Sequence, residues 1–109
     1  MKLQLHTEAE EEVFQAAAWY QERVSGLGDD FLNEVDHWFA VLVETPFGWP
    51  RWPRGPRLTS PIRRALLRRF PFAIAYQVFE DRVFVLAVAH TSRRPLYWVT
   101  RVDDNRPPG

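Results

Sequence analysis

The sequence predicts an α+β fold in which a helical hairpin packs on one face of a mainly antiparallel sheet, in the order strand, helix, helix, strand, strand, strand. Three observations carry this. Two stretches of helical apolar spacing follow each other before residue 46 with almost no chain between them. Three strand-like segments crowd the region after residue 61. Between the two regions, residues 46–61 (PFGWPRWPRGPRLTSP) hold five prolines, two glycines and no period, which reads as a stiffened loop. At 109 residues, one domain over residues 1–102 is expected, followed by a flexible tail at 103–109.

The elements follow in order. Lys2 to His6 alternates polar and apolar and predicts a short strand. Thr7 with Glu10 three residues later forms a capping-box start, and the acids around it suit the positive end of a helix dipole. Ala9, Val13, Ala16, Ala17, Tyr20 and Val24 make the apolar stripe of that first helix. Its end is expected at Ser25-Gly26, where glycine takes the left-handed cap conformation. Leu27 and Gly28 read as a tight connection, and Asp29 or Asp30 as the cap of a second helix. Phe31, Val35, Trp38, Phe39 and Leu42 give its stripe, and Pro46 stops it.

Ile62 to Phe70 and Phe72 to Phe79 predict two strands parted by Pro71, which belongs at an edge or turn. Val83 to His90 (VFVLAVAH) is nearly continuous in apolar residues, as for a strand buried on both faces. Glu80-Asp81-Arg82 turns between the last two strands. Residues 93–101 allow a short final segment around Tyr97 and Trp98.

Composition narrows the function. There are no cysteines, which excludes a disulfide scaffold and thiolate chemistry. The longest apolar run, Val83 to Ala89, is far short of the roughly 20 residues a membrane helix needs. The N-terminal stretch lacks the apolar core of a signal peptide, so a reducing cytoplasm is the expected compartment and no membrane the expected partner. The formal net charge is zero, yet its distribution is lopsided. Residues 1–50 carry Lys2 and Arg23 against ten acids, a balance of −8, while residues 51–109 carry twelve arginines against four acids, a balance of +8. Such asymmetry suits a polyanionic or acidic partner, or two halves that neutralise each other within one globule.

Several stretches together resemble toxins of the RelE/ParE superfamily from bacterial type II toxin–antitoxin systems. One is AEEEVFQAAAWYQERVSGLGDDFLNEVD, with its Trp19-Tyr20 pair and GLG turn. Another is IRRALLRRFPFAIAYQV, where an arginine strand runs through Phe-Pro into the next. The last is VFVLAVAHTSRRPLYW, where a strand ends in His90 and is followed by Arg93, Arg94, Pro95 and Trp98. The set spans residues 1–98, and the GLG turn and the His-x-x-Arg-Arg-x-Pro ending are closer to the ParE-like branch. The resemblance implies a β-α-α-β-β-β fold and a cognate antitoxin that wraps the toxin into a hetero-oligomer. It also implies a toxin, of the kind that stabilises plasmids, acting without catalysis by binding DNA gyrase. The RelE-like branch implies the alternative of a ribosome-dependent endoribonuclease that cuts messenger RNA. A non-toxic nucleic-acid-binding module is the third reading.

Two clusters carry the candidate chemistry. The first is Arg51, Arg54, Arg57, Arg63, Arg64, Arg68 and Arg69, seven arginines between Arg51 and Phe70 with no acid among them. Guanidinium forks bind phosphates bidentately, so these residues suit a nucleic-acid backbone or a target surface. In a strand, neighbours point to opposite faces, so one of Arg63 and Arg64, and one of Arg68 and Arg69, would join the loop arginines. Pairing with the acidic helices, or charge that guards an edge strand, accounts for the same residues. The second cluster is His90 with Arg93 and Arg94. A histidine can move protons near neutral pH and arginines can stabilise a phosphorane-like charge, so a ribonuclease would draw on Arg64, Arg68, His90, Arg93 and Arg94. A structural histidine bonded to backbone is the plainer reading of His90. Trp49 and Trp52 among prolines and arginines suit base stacking or a loop folded on the helices. His6, His37 and His90 lie too far apart for metal-ligand spacing, and no phosphate-binding glycine loop appears, so no metal or other cofactor is expected.

Overall fold

The computed structural model describes residues 1–103. Strand β1 (Lys2–Leu5) leads into helix α1 (Thr7–Arg23) and helix α2 (Leu27–Glu44). Strands β2 (Arg63–Leu66), β3 (Phe72–Val78) and β4 (Arg82–His90) follow, then one turn of 3₁₀ helix at Val99–Arg101. The sheet order is β1-β4-β3-β2, and β1 alone runs parallel to its neighbour. The expected order of elements and the mainly antiparallel sheet are both present. Among the described residues no helix is long and apolar enough to cross a membrane.

Several element ends differ from expectation for local reasons. The cap of α1 is His6, not Thr7: its Nδ1 accepts the Glu8 N–H at 3.1 Å. Helix α1 ends at Arg23, and Gly26 is the cap of α2, with φ 88°. Gly28 is therefore a helical residue and not part of the connection. Neither Asp29 nor Asp30 caps α2; both lie in its first turn, where they face the positive end of the dipole. The orphan donors are met from the preceding helix, because Gln21 Oε1 accepts from both Gly26 and Gly28 N–H at 3.1 Å. Gly28 also marks where the helices cross: a Cβ there would stand 2.5 Å from the Ala17 carbonyl oxygen.

The predicted strand over 62–70 stops at Leu66. The chain then turns through Leu67–Phe70, and the Glu34 carboxylate of α2 accepts the backbone N–H groups of Arg68 and Arg69. A carboxylate that satisfies two adjacent donors fixes a turn where a ladder would need a partner strand.

Strand β4 is buried along seven consecutive residues, as its composition predicts. A bulge opposite Ala75/Tyr76 leaves Leu86 without a register partner on β3. Val83 and Val85 face the helices before it, and Val88 does after it, so the alternation shifts by one residue. His90, opposite Phe72 in the register, thereby comes to the helix side at the end of the sheet.

The helix-side core gathers Phe31, Trp38, Leu42, Ile74, Tyr76 and Val85. Tyr76 donates its hydroxyl to the Pro46 carbonyl at 2.8 Å. The second face of the sheet is also covered, by the proline loop and the chain after β4. Trp98, 1% exposed, packs edge-on against Trp52 at 4.8 Å over Phe84, Leu86 and Ala87. Gln77, fully buried on that face, donates to the Ser60 and Asp103 carbonyls and accepts the Asp103 N–H, each at 3.0 Å. Asp103, expected to begin the tail, is thus anchored, and its carboxylate pairs with Arg82 at 2.6 Å. The rest of that tail, 104–109, lies outside the described residues.

Candidate functional site

Past His90 the chain turns sharply. The Thr91 N–H donates to the Pro71 carbonyl at 2.8 Å and the Arg93 N–H to the His90 carbonyl at 3.0 Å. Leu96 takes a positive φ of 62°, and the chain returns across the second face of the sheet. This turn forms a wall between two grooves.

The first groove, of about 440 Å³, lies between α1 and the end of the sheet. It is mostly apolar, with Ala16, Trp19, Tyr20, Phe72 and Val88 among its lining. Trp19 is 51% exposed, and the Arg23 guanidinium lies 3.4 Å over its ring. The second groove, of about 370 Å³, lies on the other side of the turn and is lined by Arg54, Arg64, Arg93 and Arg94 over Trp52, Leu66 and Trp98. No acid lines it. His90, Arg93 and Tyr97 border both grooves.

The wall is held by a polar network that sequence reasoning missed. Tyr97 donates its hydroxyl to Glu12 Oε2 in a short hydrogen bond. Arg101 pairs with Glu12 Oε1 at 3.0 Å and with Glu8 at 3.1 Å, and donates to the Leu86 carbonyl at 3.1 Å. The Val88 N–H donates to Glu12 Oε1 at 3.2 Å. Strand β1 pairs with β4 only as far as Val85, so Glu12 and Arg101 satisfy the edge of β4 beyond it. One signal was available: Glu12 lies one turn from both Ala9 and Ala16, an acid at the margin of an apolar stripe. Burial, the Glu12 hydrogen bond and its negative charge push the Tyr97 hydroxyl well above the ordinary phenol range, against the opposing charges of Arg93 and Arg101. Burial lowers the Arg101 pKa, but the bond and charge of Glu12 and the charge of Glu8 outweigh it and leave it raised.

His90 is fixed as well. Its Nδ1 accepts the Ser92 N–H at 3.0 Å and lies 2.7 Å from the Ser92 hydroxyl, and its ring packs edge-on against Phe72 at 5.1 Å. Nδ1 is thereby committed to the turn that follows the strand.

The structure sorts the remaining candidates. Arg64 joins the second groove, 5.7 Å from the Trp52 ring. Arg63 faces the helix side and donates to the Trp49 carbonyl at 2.7 Å. This pair alternates because it lies in β2. Arg68 and Arg69 do not follow the predicted alternation, because they lie in the turn held by Glu34. They line a separate hollow over Trp38 and Trp49, and Arg69 pairs with Asp30 at 3.5 Å. Arg68 also borders a shallow hollow with Arg64, outside the groove of His90. Arg51 bridges to Arg63 through backbone and shares a further hollow with Arg57. Arg54, Arg64, His90, Arg93 and Arg94 therefore come together, while Arg51, Arg57, Arg63, Arg68 and Arg69 stay outside.

Comparison with known proteins agrees with the resemblance read from the sequence. No family model matches the chain. Two curated relatives, both "Toxin ParE2", come from Mycobacterium tuberculosis strains CDC 1551/Oshkosh and ATCC 25618/H37Rv. Each is 24% identical over 98 residues, covering 86% of this chain and 85% of the relative. Among solved structures, a chain of the "Chromosomal ParDE TA system from P. aeruginosa" superposes with a TM-score of 0.72 at 16% identity. The match covers 84% of this chain and 97% of that one. The chain is ParE-like in sequence and in fold.

Proposed function

We propose that this chain is the toxin of a type II toxin–antitoxin pair and acts in the cytoplasm by binding its target, with DNA gyrase as that target. The observation that carries the reading is the pair of grooves sharing one wall on a ParE-type fold. The apolar groove with half-exposed Trp19 suits the nonpolar face of an antitoxin helix. Acidic residues on the same antitoxin would then meet Arg93 and Arg94 beyond the wall. Neutralisation follows by occupying the toxin's contact surface. Induced expression should arrest growth, and co-expression of the antitoxin should restore it. Purified toxin should inhibit gyrase supercoiling, and unchanged supercoiling at large molar excess would refute the gyrase target.

The convergence of Arg64, His90, Arg93 and Arg94 in one groove favours a second reading, a ribosome-dependent endoribonuclease. Arg68 lies outside that groove, and the Nδ1 of His90, where a base would take up a proton, already accepts the Ser92 N–H. Both points favour action by binding. Primer extension on transcripts after induction separates the two readings: new cleavage ends would establish the ribonuclease.

A further inference from the structure

We infer that the open edge of β2 is a docking site for an extended segment of a partner protein, which joins the sheet as a further strand with apolar side chains on one face and carboxylates on the other. The inference concerns the lateral edge of the sheet and stands apart from the antitoxin-helix and gyrase readings. Its first support is an interrupted ladder. The Arg64 N–H donates to the Pro50 carbonyl at 2.9 Å and the Trp52 N–H to the Ile62 carbonyl at 2.8 Å, around the bridge from Arg51 to Arg63. Backbone direction alternates along a strand, so Arg64 and Leu66 both turn their N–H and C=O groups away from β3. The proline loop covers this edge only as far as Arg64, and there the pairing fails. Pro50 has no N–H to return, so the Arg64 carbonyl lacks its donor. On the far side of Pro50 the chain leaves the sheet, and the Gly48 N–H donates to the Thr45 carbonyl. Among the described residues no hydrogen bond reaches the outward N–H and C=O of Leu66. An edge guarded against pairing carries charge or proline at such a position, whereas Leu66 is apolar and 49% exposed.

The second support is shape. A hollow of about 300 Å³ lies where the next strand would run, lined by Pro50, Arg64, Leu66 and Arg68 with Trp38 and Trp49. Arg64 and Leu66 point to the second face of the sheet and the two tryptophans belong to the helix side, so the hollow straddles the edge. It continues into the hollow of about 290 Å³ that shares Trp38, Trp49 and Arg68 with it. The two form one trough alongside β2.

The third support is charge. Among the described residues neither Arg64 nor Arg68 makes an ion pair. Glu34 has its carboxylate on the backbone of Arg68 and Arg69 and not on the Arg68 guanidinium. A strand laid on this edge meets tryptophans on one face and guanidiniums on the other, which calls for apolar residues alternating with acidic ones. Only another extended backbone offers N–H and C=O groups at the spacing the edge presents. A second copy of this chain would set its own Arg64 and Arg68 against the same two cations, and like charges across a pair of strands repel.

The test is fluorescence anisotropy of the full chain with a fluorescein-labelled peptide of four Val-Glu repeats, for which saturable binding is expected. With the valines over the tryptophans, the glutamates share the face of Leu66 and their N–H groups point at β2. Methylating the glutamate backbone nitrogens should abolish binding, while methylating those of the valines should change it by no more than about 3-fold. Leu66→Pro removes the outward N–H and leaves the ladder to β3 intact. It should bind about 5-fold more weakly than Leu66→Ala, as for one lost hydrogen bond. Arg68→Glu should weaken binding about 10-fold, and Arg94→Glu, away from this edge, by no more than about 3-fold. Circular dichroism checks each variant, and the methylated peptides carry the test where Leu66→Pro fails to fold. Absence of saturable binding overturns the proposal. So does an equal loss with the two methylated peptides, which would exclude backbone pairing. An octaglutamate peptide that binds as tightly also overturns it, because charge alone would then account for the contact. Sedimentation of the free chain as a dimer that Leu66→Pro dissociates overturns it as well, and assigns the edge to a second copy.

Discussion

Removing the Glu12 carboxylate should destabilise the protein more than any other single loss of charge on α1. Four donors converge on it: the Val88 N–H, the Tyr97 hydroxyl and two nitrogens of Arg101. The Glu12 and Arg101 side chains are only 14% and 11% exposed. Glu12→Ala leaves the Val88 N–H without its acceptor at the end of a strand edge and Arg101 without its buried counter-charge. Glu8 still reaches Arg101, but from a side chain 61% exposed to water. Breaking a buried pair from one side costs about 3–5 kcal/mol. At about 5 °C per kcal/mol for a domain of this size, the midpoint should fall by roughly 15–25 °C. Glu8→Ala, the exposed half of the same cluster, should cost about 1 kcal/mol or less. Thermal and urea unfolding followed by circular dichroism measure both, and a Glu12→Leu/Arg101→Met double variant should recover most of the loss. If Glu12→Ala costs no more than Glu8→Ala, the network does not hold the wall, and the rigid placement of Arg93 falls with it.

Other outcomes follow from the same geometry. Gly28→Ala puts a methyl 2.5 Å from the Ala17 carbonyl and 2.9 Å from Gln21 Cβ, so it should cost about 1–3 kcal/mol by forcing the helices apart, read as a lowered urea midpoint. Burial pushes the Tyr76 hydroxyl up to about 12, against the lowering charge of Arg63. The folded state therefore holds a proton that the unfolded chain releases near pH 10, and stability present below pH 10 is lost as pH rises toward 12. Two units correspond to roughly 2–3 kcal/mol, and Tyr76→Phe should flatten the alkaline decline in a pH series of urea midpoints. Trp19→Ala, at a half-exposed position, should leave the thermal midpoint within a few degrees while weakening antitoxin binding about 30-fold by calorimetry, as for an aromatic anchor.

Sequence periodicity carried most of the architecture, because α1, α2, β3 and β4 each bury a continuous stripe or run. What escaped it was set by contacts distant in sequence. The end of β2 depends on Glu34, more than thirty residues upstream. The cap of α2 comes from Gln21 on another helix. The parallel pairing of β1 with β4 and the cover over the second face have no local signature. The site divides in the same way. His90, Arg93 and Arg94 were legible as a cluster because they are adjacent in sequence. That Arg64 joins them and Arg68 does not follows from a strand only four residues long.

The bulge at Leu86 has a consequence for how β4 is aligned with other chains. A strand has two faces, so position along it carries a parity, and one unpaired residue inverts that parity for everything downstream. Counted from Arg82 without the bulge, His90 would belong with Phe84 on the side away from the helices. Its ring instead packs against Phe72, on the helix side. A relative that lacks the extra residue would present its own terminal histidine to the opposite side, even where the letters match. Aligned identity at position 90 therefore equates two chains only when the strand before it has been counted in both.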